Sequence, residues 1–293
     1  MSSRIMRGLV RLSRPFISDR AYLRLLYRVE MDRTLDLNNP VTMNEKLQWL
    51  KLNNRYARLT DLVDKIKVKQ EVAKIIGEEH IIPTLAVWDT PEQMDFSALP
   101  EKFVVKTNHS GGITGVAVVT DKSVADPGAI RKKMAASLRT SIYRNYGEWP
   151  YKDVDRKIFA EQYLGENPVD YKFYCFNGHA DVVLLCIGRE TGHTKFYFFN
   201  EKWELCCHNK AGKAAPEGFT VPKPEGMDEM FRIAARLSEG FPFVRVDLYN
   251  IKGRIYFGEL TFYPASGLDA NRLPEADRYF GEMIDLSIAR KEV

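Results

Sequence analysis

Near the C-terminal end, two apolar runs carry charged or polar residues at every second position: Phe243-Val-Arg245-Val-Asp247-Leu-Tyr249 and Phe257-Gly-Glu259-Leu-Thr261-Phe262. Side chains alternate across a β-strand, so Arg245 and Asp247 share one face of the first run, and Glu259 and Thr261 share one face of the second. If the turn between them holds an odd number of residues, such as the five at 250–254, the two faces coincide. Carboxylates set among Val, Leu, Phe and Tyr are costly unless a cation satisfies them. Magnesium takes carboxylates together with phosphate oxygens of a substrate, which makes Asp247 and Glu259 its candidate ligands. The competing reading is a cross-strand Arg245–Glu259 ion pair. That pair alone would leave Asp247 unexplained, and the metal reading is preferred.

Three further segments carry chemistry-bearing residues. Lys102-Phe-Val-Val-Lys106 ends a strand and runs into Thr-Asn-His109-Ser110-Gly111-Gly112-Ile-Thr-Gly115. Glycines let backbone N–H groups approach phosphate oxygens, and a lysine on the adjoining strand supplies fixed positive charge. The loop lacks Gly-Lys-Ser/Thr and opens no helix, so it is no Walker P-loop; taken alone, it reads better as a glycine-rich hairpin turn. Next, Ile158-Phe-Ala-Glu161-Gln162-Tyr163-Leu164-Gly165 has the form of a hinge strand, followed by Asp170-Tyr-Lys172 with both charges on one strand face. Finally, Asp64-Lys65-Ile-Lys67-Val-Lys69 falls on a helix expected over 62–76, capped by Thr60 or Asp61 and closed by Gly77. Lys65 and Lys69 would share a helix face, though lysines on helices are commonly just solvated.

The surrounding pattern predicts helices through residues 1–60 and a strand over 81–87. Strands are expected over 103–107, 115–119 and 158–164, with a polar helix over 127–146. A hairpin over 169–176 and 180–187 turns at Asn177-Gly178, a type I′ signal. A strand over 196–199, a helix over 227–238 and a last hairpin over 243–262 follow. Strands that pair mostly as hairpins argue for α+β lobes with antiparallel sheets, not a doubly wound parallel sheet.

Composition narrows the functional classes. Net charge is only +4, which gives no case for nucleic acid. No run of about 18 apolar residues exists to span a membrane. Arginines at 4, 7, 11 and 14 interrupt the apolar stretches at the start of the sequence, so no secretory pattern is read there. Cys175, Cys186, Cys206 and Cys207 show neither metal spacing nor a disulfide framework, and Cys206-Cys207-His208 offers too few ligands for a zinc site. The expected location is the cytoplasm. The same arginines recur at helical spacing, so residues 1–20 read either as a helix lying on anionic lipid at the inner face of the cell membrane or as the solvated face of an ordinary helix.

Taken in order, these segments resemble the ATP-grasp superfamily, and more narrowly its TupA-like branch, found with teichuronopeptide and exopolysaccharide biosynthesis. The residues carrying the resemblance are Met43-Asn-Glu45-Lys46-Leu-Gln-Trp49, Val63-Asp64-Lys65, Leu99-Pro-x-Lys102-Phe-Val-Val-Lys106, Gly147-Glu148-Trp149, Asp170-Tyr-Lys172-Phe-x-Cys-Phe-Asn177-Gly178, and Arg245-Val-Asp247-Leu-Tyr249 through Gly258-Glu259-Leu-Thr261-Phe-x-Pro264. The resemblance implies an α+β fold in which two lobes with antiparallel sheets clasp ATP: a helical region at 1–60, one lobe at 61–157 and the other at 158–293. It implies ATP and Mg2+ as cofactors, and a carboxylate–amine ligase working through an acylphosphate on a uronic-acid-type sugar or polysaccharide precursor. It places Lys65, Lys69, Lys106, Ser110, Gly111 and Gly112 in the ATP site, with Lys106 on the α- and β-phosphates and Gly111 and Gly112 folding over the triphosphate. Glu161, Gln162, Tyr163 and Leu164 would border adenine, with Asp170 on the ribose. Asp247, Glu259 and Thr261 would hold the metal, and Arg245 and Lys172 would act in catalysis. Thr261 stands where the superfamily commonly has Asn. The stretch from Ala265 to Arg272 is a candidate acceptor loop. A phosphotransferase on the same fold, a glycosyltransferase and a non-catalytic ATP-binding scaffold are the alternatives.

Overall fold

Two antiparallel sheets organise the chain in the computed structural model, which describes residues 3–112, 114–166, 168–188 and 194–292. Ile113 of the glycine-rich loop and the side chain of Arg4 lie outside the described residues. The first sheet contains β1 (Thr84–Trp88), β2 (Phe103–Thr107), β3 (Val116–Val119) and β4 (Ile158–Gln162), in the order β1-β4-β2-β3. The second contains β5 (Asp170–Phe176), β6 (His179–Ile187), β7 (Lys195–Asn200), β8 (Leu205–Cys206), β9 (Val244–Ile251) and β10 (Arg254–Thr261), in the order β10-β9-β5-β6-β7-β8. β4 pairs within the first sheet, although 158–162 had been grouped with the second lobe from the sequence. The class is α+β with two antiparallel sheets, as the hairpin pattern implied.

Helices α1 (Ser3–Ser13), α2 (Asp19–Met31), α3 (Met43–Asn53) and α4 (Ala57–Val63) precede the first sheet, and α5 (Val68–Ile76) follows them. α1, α2 and the turn after α2 enclose a small core of Val10, Tyr22, Leu23, Leu26, Tyr27, Leu35 and Leu37. α6 (Pro127–Leu138) packs on the first sheet and is followed by α7 (Ile142–Tyr146). α8 (Lys210–Lys213), α9 (Met227–Leu237) and α10 (Pro274–Met283) accompany the second sheet.

Two helices expected as continuous are broken where side chains accept from nearby backbone N–H groups. The helix expected over 62–76 stops at Val63 because Asp64 Oδ1 accepts from the backbone N–H groups of Ile66 and Lys67, and a new helix starts at Val68. The span 127–146 breaks after Leu138, where Ser141 Oγ accepts from Arg144 N and caps α7. The β5–β6 turn is as expected: Asn177 and Gly178 both have positive φ, 44° and 87°.

The last hairpin differs from expectation in a way that matters. Its turn holds two residues, Lys252 and Gly253 with φ of 52° and 84°, not five. A two-residue turn alone would set Gly258 opposite Asp247 and send Glu259 to the other face. A bulge between Phe257 and Glu259 adds one residue to β10, so that Glu259 pairs with Asp247 and Thr261 with Arg245. The convergence expected from an odd turn is produced by the bulge instead.

Candidate active site

Alternation within the strands decides which side chains reach the site. On β2 and β4, Phe103, Val105, Ile158 and Ala160 fill the core of the first sheet, leaving Lys106 and Glu161 on the opposite face. On the second sheet Lys172 of β5 is the cross-strand neighbour of Asp247, which in turn faces Glu259.

Three polar groups meet at one guanidinium nitrogen. Arg245 grips Asp247 with two prongs, Nε to Oδ1 at 2.6 Å and Nη2 to Oδ2 at 2.7 Å. The same Nη2 lies 3.2 Å from Glu259 Oε1 and 3.0 Å from Thr261 Oγ1. Lys172 also closes on Asp247 Oδ2 and lies 3.4 Å from Asp170. The Arg245–Glu259 pair weighed from sequence is therefore present, but the shorter contacts of Arg245 go to Asp247. Burial by itself would raise the Glu259 carboxyl, but Lys65, Arg245 and Lys172 outweigh it and hold it well below the usual carboxylate range. Asp247 and Glu259 carry Arg245 above its ordinary value against the opposing effect of burial.

Lys65 joins this cluster to the glycine-rich loop. Its Nζ lies 3.0 Å from Glu259 Oε2 and donates to Ser110 O at 2.8 Å, while its backbone N–H donates to Asn108 O. Lys65 was expected on a helix beside Lys69. It sits instead in the Asp64 turn, and that departure from the helix lets it reach Glu259.

A second cluster surrounds Glu161, which is 4% exposed. Lys106 and Lys69 both pair with it, Lys69 at 3.2 Å, and Lys69 also donates to Ile82 O and Thr84 Oγ1. Burial pushes the Glu161 carboxyl up, but the two lysines more than reverse this and leave it below its ordinary value. Glu161 thus serves as counter-ion to both lysines at the position where the resemblance borders adenine. Beyond it, Gln162 N donates to Pro83 O, and half-buried Tyr163 and Leu164 lead away from β4.

The loop after β2 is anchored at its base and open at its tip. Thr107 Oγ1, Ser110 Oγ and Ser137 Oγ form a buried hydroxyl cluster with contacts of 2.7 Å. A Cβ on Gly115 would collide with all three hydroxyls, whereas one on Gly111 or Gly112 would meet nothing within 4 Å. His109 of the same loop is buried at 2% exposure and is not offered to solvent. His208 stacks on Tyr279, with ring centroids 5.4 Å apart. Among the described residues no group of three or more His, Cys, Asp or Glu converges.

One polar cluster went unnoticed in the sequence. Asn44, Gln48 and Lys51 form a buried stripe along α3, each 1% exposed or less. Gln48 Nε2 donates to Ser266 O and Gly267 O, and Lys51 Nζ to Ser266 O and Tyr146 O at 2.8 Å and to Gln48 Oε1 at 3.0 Å. Glu148 Oε1 accepts from Ser266 Oγ at 2.6 Å. The candidate acceptor loop is thereby fastened to α3. Polar residues at helical spacing on a helix with little apolar asymmetry were the available signal. Arg272, placed in that loop, is buried against Asp277 at 3.0 Å. The aromatics Tyr256, Phe262 and Tyr263 near the C-terminal strands are buried in the protein interior.

The donor set suits magnesium. Asp247 Oδ2 and Glu259 Oε1 lie 2.7 and 3.2 Å from the same Arg245 Nη2, so carboxylate oxygens from both strands gather on one side of the hairpin. Two carboxylates with phosphate oxygens completing the shell is a usual magnesium arrangement.

Solved structures similar to this chain include D-alanine–D-alanine ligase from Bacillus anthracis (16% identity, TM-score 0.42, covering 76% of this chain and 66% of that one). They also include D-alanine–D-alanine ligase from Helicobacter pylori (12%, 0.45, covering 85% and 68%) and N5-carboxyaminoimidazole synthetase from Staphylococcus aureus (14%, 0.42, covering 73% and 50%). No curated protein matches the chain. The model of the TupA-like ATP-grasp family matches residues 45–285, a span that holds the site from Lys65 to Thr261, and the chain belongs to that family.

Proposed function

We propose that the protein is an ATP-dependent carboxylate–amine ligase acting on a uronic-acid-type sugar carboxylate in the assembly of a surface polysaccharide. The observation that carries the reading is the Lys65 ammonium, which touches both Glu259 on the second sheet and Ser110 in the loop of the first. It brings a phosphate-type glycine loop and a metal-type carboxylate pair into one site. Five cations, Lys65, Lys69, Lys106, Lys172 and Arg245, gather there with four carboxylates, Glu161, Asp170, Asp247 and Glu259. That excess of one positive charge, with a magnesium ion added, suits a triphosphate.

Lys106 and Lys69 would bind the phosphates, with Gly111 and Gly112 free to fold over them. Gln162, Tyr163 and Leu164 would border the base and Asp170 the ribose. Asp247 and Glu259 would hold magnesium, with Thr261 beside them, and the ion would neutralise charge on the transferred phosphoryl group. The substrate carboxylate oxygen forms a bond to the γ-phosphorus as the bond to the β–γ bridging oxygen breaks and ADP leaves. The amine nitrogen then bonds to the acyl carbon, the C–O bond to phosphate breaks, and the nitrogen loses a proton. Arg245 and Lys172 would screen negative charge through both steps. The polysaccharide setting rests on the company kept by the family, and the sugar and amine classes are part of the proposal. The reading also places the enzyme in the cytoplasm, with residues 1–20 able to rest on anionic membrane. Among the described residues no helix is long and apolar enough to cross a membrane.

The test is an ATP-consumption screen against pairs of uronic acids and amino acids, read by mass spectrometry. An amide product with phosphate release that requires both partners is expected. Asp247→Asn with Glu259→Gln should lower turnover about 100-fold or more. A stable phosphorylated sugar formed without any amine would replace the ligase reading with a phosphotransferase.

A further inference from the structure

A cavity of about 270 Å³ lies between the end of α1 and the α6–α7 connection, remote in sequence from the strands of the proposed site. Four arginines line it: Arg11, Arg14, Arg139 and Arg144, with the hydroxyl residues Thr140 and Ser141 between the last two. The nearby carboxylate, Asp19, is already shared by Arg14 and Arg55 and also accepts from Tyr143 OH. Elsewhere on these helices arginines find partners, as Arg7 does with Glu30 and Arg28 with Asp32. Among the described residues Arg11, Arg139 and Arg144 have no carboxylate within ion-pair distance. Arg14, with a side chain 9% exposed and its guanidinium over the rings of Tyr22 and Tyr143, keeps a buried Nε that has no hydrogen-bond acceptor.

Like charges held together around a concavity repel one another unless an anion answers them, and an orphaned buried N–H marks a missing acceptor. Guanidinium groups match phosphate oxygens with paired hydrogen bonds. We infer that this cavity is a second anion site, which takes a phosphate-bearing group independently of the nucleotide. The group belongs to either a soluble phosphate compound or a lipid headgroup. The lipid source has its own support: Ile5, Leu9, Leu12 and Phe16 are exposed at 54%, 49%, 71% and 86% along the same helix and the turn that ends it. Tyr146, the residue after Asn145 of the cavity lining, accepts through its carbonyl from the Lys51 ammonium that also holds Ser266.

The experiment uses the full chain with a non-hydrolysable ATP analogue saturating the nucleotide site, and inorganic pyrophosphate as the probe in calorimetry. Saturable binding is expected, weakened about tenfold or more in Arg139→Ala with Arg144→Ala, with affinity for the ATP analogue unchanged. Neither arginine makes an ion pair in the fold, so the variant should remain folded. In the second arm the protein is sedimented with phosphatidylcholine vesicles containing phosphatidic acid. Binding that pyrophosphate releases, and that the double variant loses, identifies a lipid phosphate; soluble binding without vesicle binding identifies a soluble phosphate. Absence of binding in both arms, or equal binding by wild type and variant, overturns the site. Neither result bears on the ligase reading, which concerns the other cluster.

Discussion

Asp247 and Glu259 stand directly opposite one another across β9 and β10, and Gly258 is the residue that brings them together. Its bulge converts the register of a two-residue turn into one that faces the carboxylates toward the same guanidinium. A Cβ at position 258 would approach Asp247 O to 3.0 Å and a Tyr249 ring carbon to 3.2 Å. Gly258→Ala should therefore push the two strands apart at the site, costing about 1–3 kcal/mol of stability and lowering turnover together. Chemical denaturation and turnover measured side by side check both. Full activity and stability in Gly258→Ala would show that the close backbone approach at this position does not hold the site.

Much of this was legible because strand alternation is local. Arg245 with Asp247, and Glu259 with Thr261, could be assigned to faces from spacing alone, and Asn177-Gly178 announced its own turn. The bulge could not be read, since a glycine inside a strand signals only that something may be irregular. The Asp64 turn was hidden for a similar reason. An Asp within a helical pattern looks solvated until its carboxylate is seen to accept from the N–H groups of the turn that follows it. The α3 stripe was missed because Asn44, Gln48 and Lys51 look like a surface face, and only the strained loop packed against them makes that face interior. The roles of Lys106 and Lys69 were suggested by order along the chain, while their shared partner Glu161 emerged from the pairing of β2 with β4.

Lys65 is the cation that connects the two sheets, and its removal should separate nucleotide binding from folding. Lys65→Met keeps the stem of the side chain but loses the contacts to Glu259 and Ser110. The side chain is only 16% exposed, but Glu259 keeps Arg245 as a partner, so the stability cost should be about 1–3 kcal/mol. Affinity for Mg-ATP should fall about tenfold, because the loop and the carboxylates lose their common anchor. Isothermal titration with the ATP analogue reads this directly. An unchanged affinity would remove Lys65 from the nucleotide site.

Burial pushes the Glu148 carboxyl up to about 6, with Lys51 and the Ser266 hydroxyl acting against it. The unfolded chain, near 4.5, releases this proton first. Between pH 4.5 and about 6 the folded protein therefore holds more protons than the unfolded one, and this group's contribution to stability declines as pH rises, by about 2 kcal/mol in all. Glu148→Gln should lose that decline, so the variant gains on wild type as pH climbs from 4.5 to 7. Urea midpoints across that range provide the measurement. A constant difference between the two proteins would show that Glu148 titrates normally in the fold.

Lys51 presents the opposite side of the same pair. Burial lowers its ammonium to about 8, yet its three contacts, to Gln48 Oε1, Tyr146 O and Ser266 O, use all three protons of the charged form at neutral pH. Those contacts hold Ala265, Ser266 and Gly267, three consecutive residues with positive φ of 49°, 56° and 62°. Two of them are not glycine and bear strain that local packing must offset. Lys51→Met should leave Glu148 buried without its cation and the loop without its anchor, costing about 3–5 kcal/mol at pH 7. Adding Glu148→Gln should recover part of that loss, since the uncompensated charge disappears while the strain remains. The double variant should therefore be more stable than Lys51→Met alone, yet still need more acceptor to reach half-maximal rate, with Mg-ATP affinity unchanged. If the two losses simply add, the residues are not an energetic pair. If acceptor dependence does not change, the strained turn serves folding alone and not the acceptor.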